Sequence, residues 1–252
     1  MCIDKPGGYD CKCEAGWMGE RCHRPCQNIY KSCSTWEKQD RCTQMRHLTK
    51  FFDENCPVTC GQCNFREDTV NTLTPLPPVL EPFEFLIGNW VADFTGRERY
   101  PIDFDNTTTG YKESMLIKVA EVPMFGTPSI NVSITATSKN DPENVITQNG
   151  FLSLNSRGDK DKPVTVVFLS VSNDGLALVE EGPLEGMEIK LKISDVTAHP
   201  ASKHLMPDPY SSERTLVLRP PYLREIVKKY DSEGKETLYT KYFYKEQAYR
   251  VF

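Results

Sequence analysis

The stretch PSINVSITATS (residues 128–138) alternates apolar and polar side chains from Ile130 to Thr137. Successive side chains of a β-strand point to opposite faces, so a repeat of two predicts a strand with one buried face. The apolar face consists of Ile130, Val132, Ile134 and Ala136. The opposite face is polar and consists of Asn131, Ser133, Thr135 and Thr137.

The same texture extends outward from this strand through most of the C-terminal part of the chain. GMEIKLKISDV (186–196) alternates with Ile189, Leu191 and Ile193 on one side. DSEGKETLYTKYFYKE (231–246) predicts a hairpin partner that turns at Glu233 and Gly234. Further strand-like stretches are KPVTVVFLSVS (162–172), ERTLVLRP (213–220) and LREIVKKYD (223–231). Strands at this spacing predict an antiparallel barrel or sandwich, and about 170 residues suit a barrel of about eight to ten strands that can enclose a ligand.

A family resemblance supports the barrel. LEPFEFLIGNWVADFTGRERYP (80–101) resembles the opening of the nitrobindin and THAP-type haem-binding β-barrels, in which a short helix leads into a G-x-W strand and a Gly-x-x-x-Tyr-Pro segment follows. The matching residues are Gly88, Trp90, Gly96, Tyr100 and Pro101. The resemblance covers roughly residues 81–252 and implies a lipocalin- or nitrobindin-like barrel, with Trp90 plugging one end.

The same family implies haem, held by a histidine on the last strand in a segment like His-Leu-His. Here the corresponding end, KYFYKEQAYRVF (241–252), contains tyrosines but no histidine. The remaining haem-ligand candidates are Tyr249 and, in the proline-rich segment TAHPASKHLMPDPY (197–210), His199 and His204. We therefore expect no cofactor and a barrel that is filled by side chains or holds an apolar small molecule.

The ten cysteines are confined to residues 2–63, and the remaining 189 residues contain none. A segment this short and polar cannot bury a large core, so disulfide bonds are the expected source of its stability. Disulfides persist in oxidising compartments, which predicts an extracellular, cell-surface or secretory location. Zinc is the alternative, but only the pair Cys60 and Cys63 has the spacing of a zinc knuckle.

Residues 1–24 contain the first cysteine group, Cys2, Cys11, Cys13 and Cys22. The stretch CKCEAGWMGERC (11–22) resembles the closing half of an EGF-like domain. That resemblance implies a Cys13–Cys22 disulfide, with Cys2 and Cys11 left unpaired unless they bond to each other, their partners and an anchor or signal segment lying upstream. It also makes Asp4 a calcium-ligand candidate, the alternative being a turn residue in a hairpin.

Residues 25–63 contain the other six cysteines, for which fifteen pairings are possible. Their spacing resembles the ShK toxin-like (ShKT) domain of nematode extracellular proteins, and the resemblance implies three disulfides: Cys26–Cys63, Cys33–Cys56 and Cys42–Cys60. Channel-blocking members of that family use a lysine followed by an aromatic residue, which Lys50 and Phe51 match. The alternative is a solvated Lys50 with Phe51 or Phe52 packed on a disulfide.

Residues 64–80 contain three prolines and three threonines without helical periodicity and predict a semi-extended linker to the barrel at 81–252. Two N-glycosylation sequons begin at Asn106, in a loop-like stretch, and at Asn131, on the polar face of a strand. A glycan on Asn131 requires that this face point outward. The predicted fold class is thus multi-domain, with two small disulfide-rich modules followed by a mainly antiparallel β-barrel.

The functional expectation is a non-enzymatic protein, because the chain carries no nucleophile elbow, phosphate loop or H-E-x-x-H motif. The formal charge of −5 gives no reason to expect a nucleic-acid partner. The module order resembles the nematode male-abnormal family, which acts in the morphology of male sensory rays. That resemblance implies extracellular-matrix, cuticle or cell-surface protein partners and a role in epidermal morphogenesis. The alternatives are a haem or lipid carrier and a potassium-channel modulator acting through the ShKT module.

Overall fold

The computed structural model describes residues 2–5, 8–19, 22–66, 76–120, 127–155, 164–205, 212–230 and 235–247. The chain divides into two compact units, one built mainly of the residues up to Glu81 and the other of residues 82–119 and 129–249. Among the helices of the described ranges, none combines the length and apolar character that crossing a bilayer needs.

The first unit consists of two small hairpins and three short helices. The hairpins pair β1 (Cys2–Lys5) with β2 (Gly8–Cys11) and β3 (Trp17–Met18) with β4 (Arg24–Pro25). The helices are α1 (Cys33–Lys38), α2 (Arg41–Gln44) and α3 (Phe51–Asn55). Helices this short are not stable alone, and they pack on a cluster of aromatic rings formed by Tyr30, Trp36, Phe51 and Phe52.

Disulfides link this unit covalently. The bonded pairs are Cys13–Cys22, Cys26–Cys63, Cys33–Cys56 and Cys42–Cys60. These are the same pairs that the two family resemblances imply. One expectation needs correction: Cys11, which we expected to lack a partner within this chain, is disulfide-bonded. Cys2 lies directly opposite Cys11 in the ladder between β1 and β2, so the hairpin register brings the two backbones together.

The second unit is a closed antiparallel barrel of ten strands in which each strand pairs with the next along the chain, and β14 pairs with β5. The strands are β5 (Gly88–Thr95), β6 (Gly110–Val119), β7 (Ile130–Ser138), β8 (Val145–Asn155), β9 (Thr165–Ser172), β10 (Leu176–Glu185), β11 (Glu188–Ala198), β12 (Glu213–Arg219), β13 (Tyr222–Tyr230) and β14 (Glu236–Gln247). The predicted fold class is confirmed. The turn expected at Glu233 and Gly234 lies outside the described residues.

The barrel's inward face follows the alternation seen in the sequence. On β7 the predicted apolar positions Ile130, Val132, Ile134 and Ala136 are all buried. The same holds on β11 for Ile189, Leu191 and Ile193. Because the sheet closes on itself, each strand has one face toward the interior and one toward the outside.

A 3-10 helix, Pro78–Leu86, leads into β5. It includes residues 78–80, the last three of the expected linker, which are therefore in regular structure. Two side chains of this helix, Leu80 and Phe83, are fully buried. The indole Nε1 of Trp90 donates a hydrogen bond of 2.6 Å to the carbonyl oxygen of Leu86. Trp90 thereby fixes the end of this helix against the start of the first barrel strand.

Candidate functional site

The middle of the barrel contains a chain of buried ion pairs. Its members are Glu180 on β10, Arg214 on β12, Glu225 on β13, Lys241 on β14 and Glu113 on β6, each at most 4% exposed. Arg214 donates to both carboxylate oxygens of Glu180, at 2.9 and 2.6 Å, and approaches Oε1 of Glu225 at 3.4 Å. Lys241 Nζ lies 2.6 Å from Oε2 of Glu225 and also pairs with Glu113. Three acids and two bases thus alternate across the interior.

The charges in this chain are not equally well compensated. Burial raises the pKa of Glu180, and Arg214 offsets that effect only in part. Burial acts in the same direction on Glu225, but Lys241 and Arg214 hold its pKa below the ordinary value. Burial alone would lower the pKa of Arg214, whereas the carboxylates of Glu180 and Glu225 raise it. The guanidinium is therefore a permanent charge that holds two strands to a third.

Aromatic rings surround these buried ion pairs and shield them from solvent. The guanidinium carbon of Arg214 lies 4.9 Å from the ring centre of Tyr100 and 5.2 Å from that of Phe168. Lys241 Nζ lies 5.4 Å from the ring centre of Phe243. The sequence left open whether the barrel interior is filled by side chains or holds a ligand. At the level of these ion pairs, the described side chains fill it.

A second cluster of polar residues forms where the loop that joins β5 to β6 (residues 96–109) meets β13. Lys229 of β13 pairs with the carboxylate of Asp103 and donates 2.7 Å to the carbonyl oxygen of Arg99. The backbone N–H of Arg99 also donates to Asp103, at 2.9 Å. The Arg99 guanidinium is different: the side chain is 1% exposed, and none of its three nitrogens has a hydrogen-bond partner among the described residues.

An aromatic cluster that includes Tyr111 lies near Arg99. The hydroxyl of Tyr111 donates to the carbonyl oxygen of Glu98 at 2.7 Å. Burial raises the pKa of Tyr111, and the Arg99 charge opposes that rise, which places the two side chains within electrostatic range. Phe94 packs against Tyr111 and Tyr239, and the Tyr239 hydroxyl is likewise buried without a partner. Unpaired buried donors are rare in folded proteins, so each of these two groups requires a structural or functional explanation.

Among the described residues, the inward-facing side chains do not fit a haem iron. Haem is held by His, Cys, Tyr or Met side chains, Met accompanying a His in cytochromes. The described inward-facing residues of this kind are Tyr100, Tyr111, Tyr239 and Met115. Burial raises the pKa of all three tyrosines, which disfavours the tyrosinate that binds iron. The inward positions of the last strand instead include Lys241, whose ammonium is shared by two carboxylates.

The haem candidates from the sequence lie elsewhere. His199 and His204 are exposed, beside and within the 3-10 helix Pro200–Leu205, and Nδ1 of His199 accepts a hydrogen bond of 3.2 Å from the Ala201 N–H. Tyr249 lies outside the described residues. Within the part of the chain that the structure describes, no group of three or more metal-ligating side chains converges. The side chain of the calcium candidate Asp4 also lies outside the described part.

The remaining candidates sit on surfaces. Lys50 is exposed at the start of α3, whereas Phe51 is half-buried in the aromatic cluster, with its ring 5.5 Å from Tyr30 and 6.0 Å from Trp36. The two side chains therefore do not form a paired, exposed dyad. Asn106 and Asn131 are both exposed.

Sequence reasoning missed the buried charges. A signal was present, because Glu225 and Lys229 share the repeat of two with Leu223 and Val227 in LREIVKKYD and must face inward with them. The repeat does not show which charges meet, since the partners of these two residues come from β12, β14 and the loop 96–109.

The barrel and the cysteine-rich module at residues 25–63 each match a known protein-family model. Residues 79–219 match the model described as THAP4-like, heme-binding beta-barrel domain, and residues 25–63 match the ShK domain-like model. The barrel match ends with β12, before the strands that carry Glu225 and Lys241. The EGF-like and male-abnormal resemblances stay predictions.

An uncharacterized protein of Caenorhabditis elegans is 23% identical over 176 residues, which is 68% of this chain and 56% of that protein. Human peroxynitrite isomerase THAP4 is 25% identical over 195 residues, 77% of this chain and 29% of that protein. The mouse protein of the same name is 26% identical over 162 residues, 64% of this chain and 23% of that protein. The chain thus spans less than two thirds of the length of these relatives.

A solved structure titled "Crystal Structure of Rv2717c from M. tuberculosis" superposes with a TM-score of 0.48 at 16% identity, over 68% of this chain and 99% of that one.

The names of the mammalian relatives overturn one expectation. We expected a non-enzymatic protein, and that expectation is wrong, because these relatives are isomerases. The family match over residues 79–219 covers more than half of the 252 residues, so this protein belongs to the family of THAP4-like, heme-binding beta-barrel domains.

Proposed function

We propose that the barrel binds a small oxyanion at Arg99 and that peroxynitrite, the compound in the names of its mammalian relatives, is its substrate. The observation that carries this proposal is the guanidinium of Arg99, which is buried and lacks a hydrogen-bond partner. A buried guanidinium left unpaired costs free energy that a bound anion recovers. Its planar fork of N–H donors matches planar oxyanions better than an ammonium does.

The chemistry needs little more than charge stabilisation. Isomerisation of peroxynitrite to nitrate breaks the O–O bond and forms a third N–O bond, with no net gain or loss of electrons or protons. The negative charge ends spread over three oxygens, and donors aimed at developing charge in a water-poor site are effective catalysts. Arg99 supplies such donors, and the buried hydroxyl of Tyr239, whose ring packs against Phe94, is a further unpartnered donor. The loop 96–109 has to move for substrate to enter.

We expect the full chain to accelerate peroxynitrite decay, measured by stopped-flow absorbance, and to increase the yield of nitrate over nitrite. Arg99→Met should reduce the rate constant about 10- to 100-fold, the effect of losing charge-assisted hydrogen bonds. Arg97→Met is the matched control, because Arg97 lies in the same loop but is exposed. Each protein is assayed with and without added haem.

The outcomes separate the possibilities. A rate equal to that of buffer, with and without haem, overturns the proposed activity. Acceleration that Arg99→Met leaves intact overturns the role of Arg99, and acceleration that appears only with haem moves the chemistry to that group. Circular dichroism of both variants shows whether a lost rate reflects lost folding.

For the first unit we propose an extracellular recognition role, in which Lys50 is the cation presented to a channel mouth or a similar surface. Disulfides persist in oxidising compartments, and Lys50 is exposed at the rim of an apolar hollow of about 670 Å³ that Trp36, Phe51 and Phe52 line. Matrix or cell-surface partners and a part in epidermal morphogenesis are the wider form of this proposal.

We expect Lys50→Ala to abolish any block of potassium currents by the full chain in electrophysiological recordings, because a single ammonium fills the pore. Lys38→Ala is the control, since Lys38 is an exposed lysine on α1 of the same module. A wild-type chain that blocks no current, or equal effects of both substitutions, contradicts the channel role.

A further inference from the structure

The outer face of the barrel carries an apolar groove of about 470 Å³ across strands β7 to β11. Its most exposed apolar side chains are Phe151, Leu169 and Val171, which are 51%, 49% and 59% exposed. The register makes them neighbours, because Phe151 on β8 lies directly opposite Leu169 on β9. Contiguous exposed apolar surface on a soluble domain is normally covered by something.

One rim of this groove is a glycosylation sequon. Asn131 on β7 is exposed, lines the groove and lies directly opposite Phe151 in the ladder between β7 and β8. Side chains of directly opposed residues have Cβ atoms about 5 Å apart. The hydroxyl residue of the sequon, Ser133, lines the same groove. The sequence left open whether this face of β7 points outward, and in the structure it does.

We propose that Asn131 carries an N-linked glycan whose innermost sugars lie across the groove, over Phe151 and Leu169. In the attachment step, Nδ2 of Asn131 forms a bond to C1 of the first N-acetylglucosamine of a lipid-linked diphosphate sugar donor. The C1–O bond to the diphosphate breaks, the lipid diphosphate leaves with that electron pair, and the amide loses one proton.

The occupant follows from chemistry and reach. A pyranose ring has an apolar face of C–H groups and a polar rim, so it covers an aromatic ring while its hydroxyls stay in water. The polar groove residues that are not buried, namely Asn131, Ser133, Asn149, Asp195 and Thr197, suit those hydroxyls. The glycan is tethered one side chain away from Phe151, which gives it a high effective concentration over any free partner.

The experiment uses the full chain secreted from eukaryotic cells. We expect mass spectrometry of glycopeptides to find Asn131 occupied, and removal of the sequon by Asn131→Gln to raise the fluorescence of the apolar dye ANS several-fold. Asn106→Gln is the matched control, because Asn106 is an exposed sequon in the 96–109 loop, away from the groove residues. Adding Phe151→Ser to Asn131→Gln should remove the dye signal.

Enzymatic removal of the glycan from the folded wild-type chain repeats the measurement without depending on the folding of a variant. The inference depends on the proposed secretory location, and occupancy of Asn106 reports that location separately. Asn106 occupied with Asn131 empty overturns the inference while the location stands. Asn131 occupied, with dye binding unchanged after deglycosylation, overturns the covering role. If Asn131 is unglycosylated and the secreted protein is a dimer whose interface covers the groove, a second copy of the chain is the occupant. That result also overturns the inference.

Discussion

Replacing Arg214 by methionine should lower the free energy of unfolding of the barrel by about 3–5 kcal/mol, the range measured when one partner of a buried ion pair is removed. The reason is geometric, because Arg214 donates two hydrogen bonds to Glu180 and also contacts Glu225. Without it Glu180, which is fully buried, loses the cation that pairs with it. Native-state hydrogen exchange of amides in β12 and β13 measures the change within the barrel alone.

The pH dependence of this variant distinguishes an unpaired carboxylate from a packing defect. Burial already raises the pKa of Glu180, and loss of Arg214 removes the main effect that opposes it. A folded-state pKa above the unfolded value means that the native state binds more protons, so stability increases as pH falls. We expect the deficit of Arg214→Met to shrink as the pH is lowered toward about 5.

Two further variants act as controls. Lys192→Met breaks the exposed pair with Glu213, at 3.2 Å, and should cost less than about 1 kcal/mol. The double variant Glu180→Leu with Arg214→Met removes both charges and should recover part of the loss, since apolar replacements of buried pairs are often neutral. If Arg214→Met and Lys192→Met lower the free energy of unfolding equally, the buried ion pairs stabilise the barrel no more than an exposed pair does.

Removing the Cys26–Cys63 disulfide by a double alanine substitution should destabilise the first unit by about 4 kcal/mol. The bond closes a loop of 37 residues, the longest among the four described disulfides, and the stabilisation grows with the logarithm of loop length. With so small a core, this loss is expected to unfold α1 to α3, which hydrogen exchange of the α1 amides detects.

The Cys13–Cys22 bond provides the comparison. It closes a loop of 9 residues, so its removal should cost about 2.5 kcal/mol by the same relation. The expected difference between the two double variants is therefore about 1–1.5 kcal/mol. A larger loss from the short loop than from the long one contradicts the chain-entropy explanation and places the stabilisation in local packing instead.

Much of the architecture could be predicted from the sequence, because it depends on local periodicity. The repeat of two in β7 and β11 predicts which side chains face inward, and Ile134 and Leu191 are buried as that repeat requires. Cysteine segregation likewise predicts the small module, since a short polar segment needs covalent links. The four described disulfide pairs came from resemblance to families, because spacing alone leaves many pairings open.

The candidate site could not be predicted in the same way. Glu113 and Lys241 are separated by 128 residues, and nothing local indicates that their side chains meet. Arg99 reads as an ordinary surface charge in TGRERYP, and only the packing of the loop 96–109 buries it. The same packing leaves its neighbour Arg97 exposed, so identical residue types two positions apart receive opposite environments.

Side-chain alternation and cysteine density are properties of neighbouring residues, so the amino-acid sequence predicts the two-part organisation, the antiparallel strands and their buried faces. The choice of a barrel over a sandwich came from the family resemblance. Packing between distant strands sets three features that no local pattern predicts. Ion pairs cross the interior, His199 and His204 stay on the surface, and Asn131 faces outward beside Phe151. These outcomes depend on closure of the sheet, which sets the register between strands that are distant in the chain and thereby decides which side chains share an environment.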